Sequence, residues 1–307
     1  MTEERASLIK KAVVLVAGMG TRLLPATKSQ PKEMLPVGRK PTVQYIVEEL
    51  ASAGIKELLF VTGRAKRSIE DHFDRDEGLI RELVSKGKAE VVQEVSCDDL
   101  GVRFFYTRQS VPLGTAHAVL QGREFVGDST FVVALGDSIL RASTIPDLLL
   151  RMMASHRAHR ASATIAVETL PREYLGRYGV VRPRGIAGDE FEIADIVEKP
   201  SPEAAPSNLA LAGRYIFDAS IFDAILRTTP SGEGELLLPD SIRLMINDGH
   251  VVRAVRLVGD ERRYDIGNFE SYFKAFIDFA LEDEEYGDIV DRYLRQQQQG
   301  RETTARN

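Results

Sequence analysis

The fold of this 307-residue chain is decided by the stretch Lys11-Ala-Val-Val-Leu-Val-Ala-Gly-Met-Gly-Thr-Arg22. The run from Lys11 to Ala17 is almost wholly apolar and ends in glycine, which is typical of a buried central strand. Gly18 and Gly20 let the backbone pass close to a ligand and expose several N–H groups to an anion. A simple tight turn would explain the two glycines equally well, so an anion site needs support from the neighbouring sequence.

Two common phosphate-binding motifs do not fit this glycine loop. The dinucleotide fingerprint requires a third glycine, but this chain has Leu23 at that position. No Gly-Lys-Ser or Gly-Lys-Thr follows, so the loop is not a P-loop either. These differences argue against a dinucleotide-dependent oxidoreductase.

The segment after the loop carries a cluster of basic residues. Arg22, Lys28 and Lys32 lie close together in the sequence, and three intervening or adjacent prolines stiffen the segment. One charge pair at 4 Å is worth about 4 kcal/mol at an effective dielectric constant near 20. A solvated basic loop is the alternative, but the combination with the glycines favours a site for a phosphate-bearing molecule.

Composition excludes several classes of protein. The formal net charge of −6 argues against general nucleic-acid binding, although a local basic cluster can still bind a small anion. Cys97 is the single cysteine, so no intrachain disulfide forms, and the five histidines show no zinc-ligand pattern. The chain shows no secretory signal, and its apolar runs are far shorter than the roughly 20 residues of a membrane span. We therefore expect a cytoplasmic protein without membrane contact.

Short β-rich runs alternate with helical patterns along most of the chain. This alternation predicts an α/β fold, Rossmann-like, with a mixed, mainly parallel sheet flanked by helices. No linker or repeat interrupts it, so we predict one domain over residues 1–295. The predicted strands after the first are 58–61, 104–107, 130–135, 162–167, 179–182, 191–197, 209–217 and 251–257.

The C-terminal segment has a different pattern. Tyr286, Ile289, Val290 and Tyr293 have the spacing of one apolar helix face, which predicts a helix over 284–295. This face packs either on a second subunit, giving a homo-oligomer (dimer or tetramer), or on its own domain. The glutamine-rich tail 296–307 is expected to be disordered.

A longer motif extends from Gly18 to Pro36 and reads Gly-Met-Gly-Thr-Arg-Leu-Leu-Pro-Ala-Thr-Lys-Ser-Gln-Pro-Lys-Glu-Met-Leu-Pro; it is followed by Lys40-Pro-Thr-Val-Gln-Tyr45. Together these segments resemble the bacterial UTP–glucose-1-phosphate uridylyltransferases. These enzymes belong to the sugar nucleotidyltransferase superfamily. The resemblance implies Mg²⁺-dependent transfer of a uridylyl group from UTP to glucose 1-phosphate, giving UDP-glucose and pyrophosphate. It also implies a nucleotide-binding part at about 10–140 and a sugar-phosphate part at about 141–280.

The same resemblance implies which residues bind the nucleotide. Gln109 matches the glutamine that reads the pyrimidine edge, and a side-chain amide offers the donor and acceptor that uracil requires. The family usually has Gly-Leu-Gly-His-Ala where this chain has Pro112-Leu-Gly-Thr-Ala-His117, which leaves a glucose-1-phosphate thymidylyltransferase as an alternative. The implied nucleotide-binding residues are Ala17, Gly18, Gly20, Thr21, Gln109 and Gly114.

Carboxylates and further cations complete the implied site. Asp137 follows an apolar strand and matches the metal-binding aspartate of the superfamily, and Asp265 matches the second acidic position. Each alone would be an ordinary turn residue. The implied catalytic residues are Arg22, Lys32, Asp137 and Lys199, the implied Mg²⁺ ligands are Asp137 and Asp265, and the implied sugar-phosphate residues are Gly179, Glu198, Lys199, Asn208 and Glu235.

No Ser/His/Asp or Cys/His set is evident, which agrees with a reaction whose nucleophile is already an anion. A non-catalytic nucleotide-sugar sensor with the same fold is the remaining alternative of a different class.

Overall fold

A computed structural model describes residues 9–97, 100–142, 147–231 and 234–305. Within these ranges no helix is both long and apolar enough to cross a lipid bilayer. The strands are β1 (Lys11–Val16), β2 (Pro36–Val37), β3 (Lys40–Pro41), β4 (Glu57–Thr62), β5 (Arg103–Arg108), β6 (Phe131–Leu135), β7 (Ser138–Arg141), β8 (Ala163–Thr169), β9 (Gly179–Pro183), β10 (Glu190–Glu198), β11 (Leu209–Phe217), β12 (Val252–Arg256) and β13 (Arg262–Asp265). The helices are α1 (Thr42–Ser52), α2 (Arg67–Phe73), α3 (Glu77–Ser85), α4 (Ala89–Val95), α5 (Thr115–Leu120), α6 (Arg123–Val126), α7 (Leu148–Ala158), α8 (Ser220–Arg227), α9 (Leu238–Asn247), α10 (Phe269–Leu281) and α11 (Gly287–Ala305).

A nine-stranded sheet forms the centre of the fold, in the order β5-β4-β1-β6-β11-β8-β12-β10-β9. The strands β5, β4, β1, β6, β8, β12 and β9 run in one direction, and β11 and β10 run in the other. The predicted mixed α/β sheet is therefore confirmed. Because β11 lies between β6 and β8, strands from both predicted parts of the chain share one sheet.

Helices cover both faces of this sheet because side chains alternate along each strand. On β1, Val13 faces a core formed with α5, α8 and α9, whereas Val14 faces a core formed with α1, α2 and α7. Both valines are fully buried, and each such side chain contributes roughly 1.5–3 kcal/mol relative to exposure. The strand β1 is thus buried on both faces, as its continuous apolar run predicts.

A small two-stranded sheet brings two distant segments together. β13 pairs antiparallel with β7, and Asp265 lies opposite Ser138 in this pairing. The backbone N–H of Ile266 also donates to the carbonyl oxygen of Asp137, at 2.8 Å. The end of β6 and the end of β13 are therefore held side by side.

The C-terminal helix differs from the prediction at both ends. It begins at Gly287 rather than 284, and it continues to Ala305 through the segment that was expected to be disordered. The expectation of a disordered tail was wrong for residues 296–305, because glutamine, glutamate and arginine are good helix formers even without an apolar face. Residues 306–307 lie outside the described ranges.

Candidate active site

A cleft of about 420 Å³ opens at the carboxyl ends of β1, β5 and β6. Ligands of open α/β sheets bind at this edge. The structure brings most of the predicted site residues into this one cleft, namely Ala17, Gly18, Arg22, Lys32, Gln109, Gly114, Asp137, Gly179, Glu198, Lys199, Glu235 and Asp265. Their assigned roles stay predictions.

Three of the predicted residues do not line the cleft. Gly20 adopts φ +66°, in the left-handed region, and its carbonyl accepts a 2.8 Å hydrogen bond from the Thr27 hydroxyl. Thr21 begins a 3₁₀ helix immediately after it. The structure gives these two residues a part in shaping the glycine loop. Asn208 is exposed beside β11, and its carbonyl accepts from the backbone N–H of Leu170 at 3.0 Å.

Lys32 and Asp137 form a direct ion pair in the cleft. Their side chains are only 15% and 18% exposed. Burial alone would raise the pKa of Asp137, but Lys32 overcomes this and holds that pKa below its usual value. Burial likewise opposes the charge on Lys32, but Asp137 and neighbouring carboxylates hold the pKa of Lys32 above its usual value. Both groups are therefore charged at neutral pH.

A second, deeper ion pair lies beneath this one. Lys66 Nζ lies 2.6 Å from Glu33 Oε2, and the two side chains are only 6% and 1% exposed. Burial raises the pKa of Glu33, while Lys66 lowers it. Since Glu33 follows Lys32 in the short 3₁₀ helix Lys32–Met34, the pair anchors the segment that carries Lys32 to the start of α2. Its components are separated in sequence, so no local pattern indicates it.

Asp265 is held by one aromatic and one basic neighbour. The Tyr178 hydroxyl donates to Asp265 Oδ2 at 2.8 Å, and an Arg263 guanidinium nitrogen lies 4.0 Å from the same oxygen. Arg263 also pairs with Glu168 and stacks on the Tyr178 ring at 4.4 Å. The buried Arg263 lines the cleft, but sequence reasoning missed it. Its place two residues before Asp265 on the same strand is the one signal that could have found it.

Arg214 fixes the backbone behind Asp137. Its guanidinium is fully buried and bonds both carboxylate oxygens of Glu49, at 3.0 and 2.6 Å. It also donates to the carbonyl oxygen of Ser138 at 2.9 Å. This bidentate arrangement has well-defined geometry, so α1, β11 and the residue after Asp137 are tied together.

Three residues predicted to bind the sugar phosphate, Gly179, Glu198 and Lys199, meet where β9 and β10 pair. Gly179 lies opposite Glu198 in the register, and a Cβ at Gly179 would lie only 3.2 Å from Glu198 Oε2. Burial raises the pKa of Glu198 although Lys199 opposes the shift. Lys199 has φ +43°, a strained conformation for a residue with a side chain, and its ammonium lies 3.4 Å from Glu198. Such strain is frequent at ligand sites.

The loop that carries Gly114 is tied to the segment that carries Glu235. A Cβ at Gly114, whose φ is +97°, would collide with the backbone of Leu236. Leu236 accepts a hydrogen bond from Ala116 N and donates one to the Leu113 carbonyl, at 2.9 and 2.8 Å. The Thr115 hydroxyl accepts from Leu238 N at 3.0 Å. The departure at Thr115 thus supplies a cap for α9.

Asp137 and Asp265 provide hard oxygen donors on one side of the cleft, which fits the preference of Mg²⁺. The described ranges contain no cluster of three or more His, Cys, Asp or Glu side chains that could hold a metal. Mg²⁺ commonly uses one or two protein carboxylates together with substrate phosphates and water. The two carboxylates therefore fit a metal whose coordination is completed by substrate.

Fold and cleft together define a nucleotide-binding α/β protein, and the comparisons with known proteins agree. The chain belongs to the nucleotidyl transferase family, whose pattern matches residues 11–282. Within that family it is similar to the UTP–glucose-1-phosphate uridylyltransferases. One of these, from Bacillus subtilis, is 41% identical over 280 residues, which cover 91% of this chain and 94% of the relative.

Solved structures show the same relationship. A UTP-bound UGPase from Acinetobacter baumannii superposes with a TM-score of 0.84 at 36% identity, covering 93% of this chain and 98% of the other. A UDP-glucose pyrophosphorylase complexed with UDP-glucose superposes with a TM-score of 0.80 at 35% identity, covering 90% and 100%. The resemblance of the glycine-loop motif to this family is confirmed.

Proposed function

We propose that this protein transfers a uridylyl group from UTP to glucose 1-phosphate, giving UDP-glucose and pyrophosphate, in a Mg²⁺-dependent reaction. One observation carries the proposal: a single cleft has separate cationic side chains for the triphosphate of UTP and for the phosphate of glucose 1-phosphate. Lys32 and Arg22 lie beside the glycine loop, and Lys199 lies on the sugar-phosphate side. The names of the similar proteins support the choice of UTP and glucose 1-phosphate.

The chemistry requires alignment and charge neutralisation more than proton transfer. A phosphate oxygen of glucose 1-phosphate attacks the α-phosphorus of UTP in line, and pyrophosphate leaves. That oxygen is already anionic at neutral pH, so no general base is needed. Lys32 and Arg22 bind the triphosphate, and Lys199 binds the attacking phosphate. Fixed cations in a partly buried cleft reduce the repulsion between the two substrates.

Asp137 and Asp265 would hold the Mg²⁺ ion in the part of the cleft beside Lys32. When bound, the ion neutralises phosphate charge and orients the triphosphate. The assignment of Asp137 and Asp265 as Mg²⁺ ligands rests on their carboxylate oxygens and on the position of both residues in the cleft.

The proposal is tested by pyrophosphate release from purified protein with Mg²⁺ and glucose 1-phosphate, with UTP, dTTP, ATP and GTP in parallel. Selective release with UTP is expected. A preference for dTTP would assign the protein to the thymidylyl branch. Tight UTP binding without release from any of several sugar phosphates would instead favour the nucleotide-sugar sensor.

Replacing Lys199 with alanine is expected to raise the KM for glucose 1-phosphate about 10- to 100-fold, since a charge-assisted hydrogen bond is worth roughly 1.5–3 kcal/mol. The KM for UTP should change by less than about threefold on the same reasoning. Alanine keeps the Cβ, so the backbone strain at this position is unchanged. Initial rates, measured with each substrate varied in turn, give the two KM values separately.

Lys274→Ala serves as the matched control, because Lys274 is 69% exposed on α10 and pairs only with Glu270 among the described residues. It should leave both KM values unchanged. Equal increases in the KM for glucose 1-phosphate and for UTP in Lys199→Ala would contradict the proposal that Lys199 binds the sugar phosphate and Lys32 binds the triphosphate.

We also infer that the protein assembles with itself through α10 and α11. These two helices pack on one another, and both expose large apolar side chains. This band is formed by Phe273, Phe276, Ile277, Tyr286, Ile289 and Tyr293, each 40–58% exposed. Exposed large apolar side chains concentrated on neighbouring helices are typical of subunit contacts.

Ile289→Asp is expected to shift the protein from oligomer to monomer, because a charge would be buried in the contact. Sedimentation velocity measures the change. Ile186→Asp is the control, since Ile186 is 97% exposed outside this band. A wild-type protein that sediments as a monomer at all concentrations would contradict the inference.

A further inference from the structure

One cationic side chain of the cleft has no part in the proposed chemistry. Arg177 lines the cleft, and its side chain is 46% exposed. It is the last residue of a 3₁₀ helix, Arg172–Arg177, which ends just before β9 begins at Gly179. Gly179 also lines the cleft. The guanidinium of Arg177 therefore lies next to residues that are predicted to bind the sugar phosphate.

The charge of Arg177 is only weakly compensated within the protein. Among the described residues, the carboxylate within ion-pair distance of its guanidinium is that of Glu270, at 4.0 Å. Glu270 is 54% exposed, and it already accepts a hydrogen bond from Lys274 at 2.7 Å. The guanidinium also lies 5.5 Å from the centre of the Tyr174 ring. A long, exposed ion pair contributes little free energy, so Arg177 can leave it at small cost.

Two other cations of the cleft differ from Arg177 in this respect. Lys32 pairs with Asp137, and Arg263 pairs with Glu168. The side chains of both pairs are largely buried. Lys32 and Arg263 therefore share their charge with carboxylates of the cleft wall, whereas the charge of Arg177 remains free to bind an anion that enters the cleft.

The main chain indicates which anion this is. The backbone N–H of Lys199 donates to the carbonyl oxygen of Tyr178, at 3.0 Å. Since β9 begins after Tyr178 and β10 ends before Lys199, the antiparallel pairing of the two strands places Arg177 and Lys199 at the same end. Lys199 is the residue that we propose to bind the phosphate of glucose 1-phosphate. Arg177 is thus the second cation beside that phosphate.

A phosphate ester has chemistry that suits two different cations. It carries a charge of about −1.5 to −2 at pH 7, so one ammonium group neutralises only part of it. A guanidinium group presents parallel N–H donors that match two phosphate oxygens, whereas an ammonium group acts as a compact point charge. An arginine and a lysine on adjacent strands can therefore neutralise and orient one phosphate group.

We propose that Arg177 binds the phosphate of the sugar substrate together with Lys199. This inference rests on the proposed function, because it concerns the sugar phosphate of the same reaction. In-line displacement places the attacking phosphate and the leaving pyrophosphate on opposite sides of the α-phosphorus. The attacking phosphate becomes the β-phosphate of UDP-glucose, so Arg177 contacts UDP-glucose but not the triphosphate of UTP.

The experiment measures the Kd of UDP-glucose and of UTP, each with Mg²⁺, by calorimetry for wild type, Arg177→Ala and Arg177→Lys. Neither ligand reacts without its co-substrate. Arg177→Ala should weaken the binding of UDP-glucose about tenfold, which corresponds to roughly 1.4 kcal/mol, and that of UTP by less than about threefold. Arg177→Lys should recover part of the loss, because it keeps the charge but not the paired donors.

Arg172→Ala is the matched control. Arg172 belongs to the same 3₁₀ helix, but it lies outside the cleft and donates to the carbonyl oxygen of Pro202 at 2.9 Å. The substitution removes the same charge from the same helix and should leave both Kd values unchanged. An equal loss of UDP-glucose affinity in Arg172→Ala and Arg177→Ala would show an effect of net charge and overturn the inference.

Two further results would also overturn it: an unchanged Kd for UDP-glucose in Arg177→Ala, or equal weakening of UDP-glucose and UTP binding. If Arg177→Ala fails to fold, Arg177→Gln, which keeps most of the side chain without its charge, takes its place. A wild type that binds UTP but not UDP-glucose refutes the proposed function as well. A wild type that binds both, with the Kd of UDP-glucose unchanged in the variant, refutes the role of Arg177 alone.

Discussion

Replacing Asp137 with asparagine is expected to lower turnover about a thousand-fold or more while the protein remains folded. Asp137 lies in the cleft at the end of β6, and its carboxylate carries the charge that pairs with Lys32. Asparagine keeps the shape but removes the charge and one donor of the implied metal site. The loss should persist at every Mg²⁺ concentration, as measured by pyrophosphate release at saturating UTP and glucose 1-phosphate.

Two measurements separate loss of chemistry from loss of structure. Thermal unfolding of Asp137→Asn should stay within a few degrees of wild type, since Lys32 can lose its proton when its partner is removed. Asp71→Asn is the control, because Asp71 is 61% exposed on α2 and lies outside the cleft. Substantial residual activity in Asp137→Asn would remove this residue from the metal site.

Replacing Lys66 with methionine is expected to lower the free energy of unfolding by about 3–5 kcal/mol. Its partner Glu33 is almost completely buried, so removal of the cation leaves a carboxylate without a counter-charge. Because the pair anchors the segment that carries Lys32, turnover should fall as well. Urea unfolding followed by circular dichroism gives the free-energy change.

The destabilisation in Lys66→Met should depend on pH. Burial already raises the pKa of Glu33 and Lys66 counteracts it, so losing Lys66 raises the folded-state pKa further. A group with a raised folded-state pKa contributes stability below its unfolded pKa, and this contribution is lost as pH rises through the folded value. The variant should therefore be less stable at pH 8 than at pH 5.5, relative to wild type.

Paired substitutions test the cause of this effect. Lys66→Met combined with Glu33→Gln should recover part of the loss, because no unpaired charge remains. Lys40→Met is the matched control: Lys40 is 42% exposed in its pair with Glu48, so about 1 kcal/mol or less is expected. Similar losses in both lysine variants would argue against burial as the cause.

Local patterns predicted much of the architecture. The apolar run of β1 predicted a buried strand, and the β-rich runs after it predicted the other strands of the nine-stranded sheet. Helix α3 was not predicted, and none of its residues is buried. The sequence did not indicate the C-terminal extension of α11, because its glutamines favour a helix by propensity but form no apolar face.

Some residues of the candidate site were predicted from the sequence and others were not. The glycine loop, Lys32 and Asp137 belong to continuous motifs, so the sequence indicated them directly. Arg263 and Lys66 belong to no such motif, and their partners Glu168 and Glu33 lie far away along the chain. Asn208 was carried over by resemblance and lies outside the cleft.

What the sequence by itself determined is the class of fold, the position of the glycine loop and the family, because each depends on residues adjacent in the chain. What only the tertiary structure decided is the set of long-range contacts. The pairing of β13 with β7 places Asp265 beside Asp137, and the contact of Gly114 with Leu236 joins the loop before α5 to the segment before α9. Burial and charge pairing depend on distances in space, and these distances arise only when the sheet has formed.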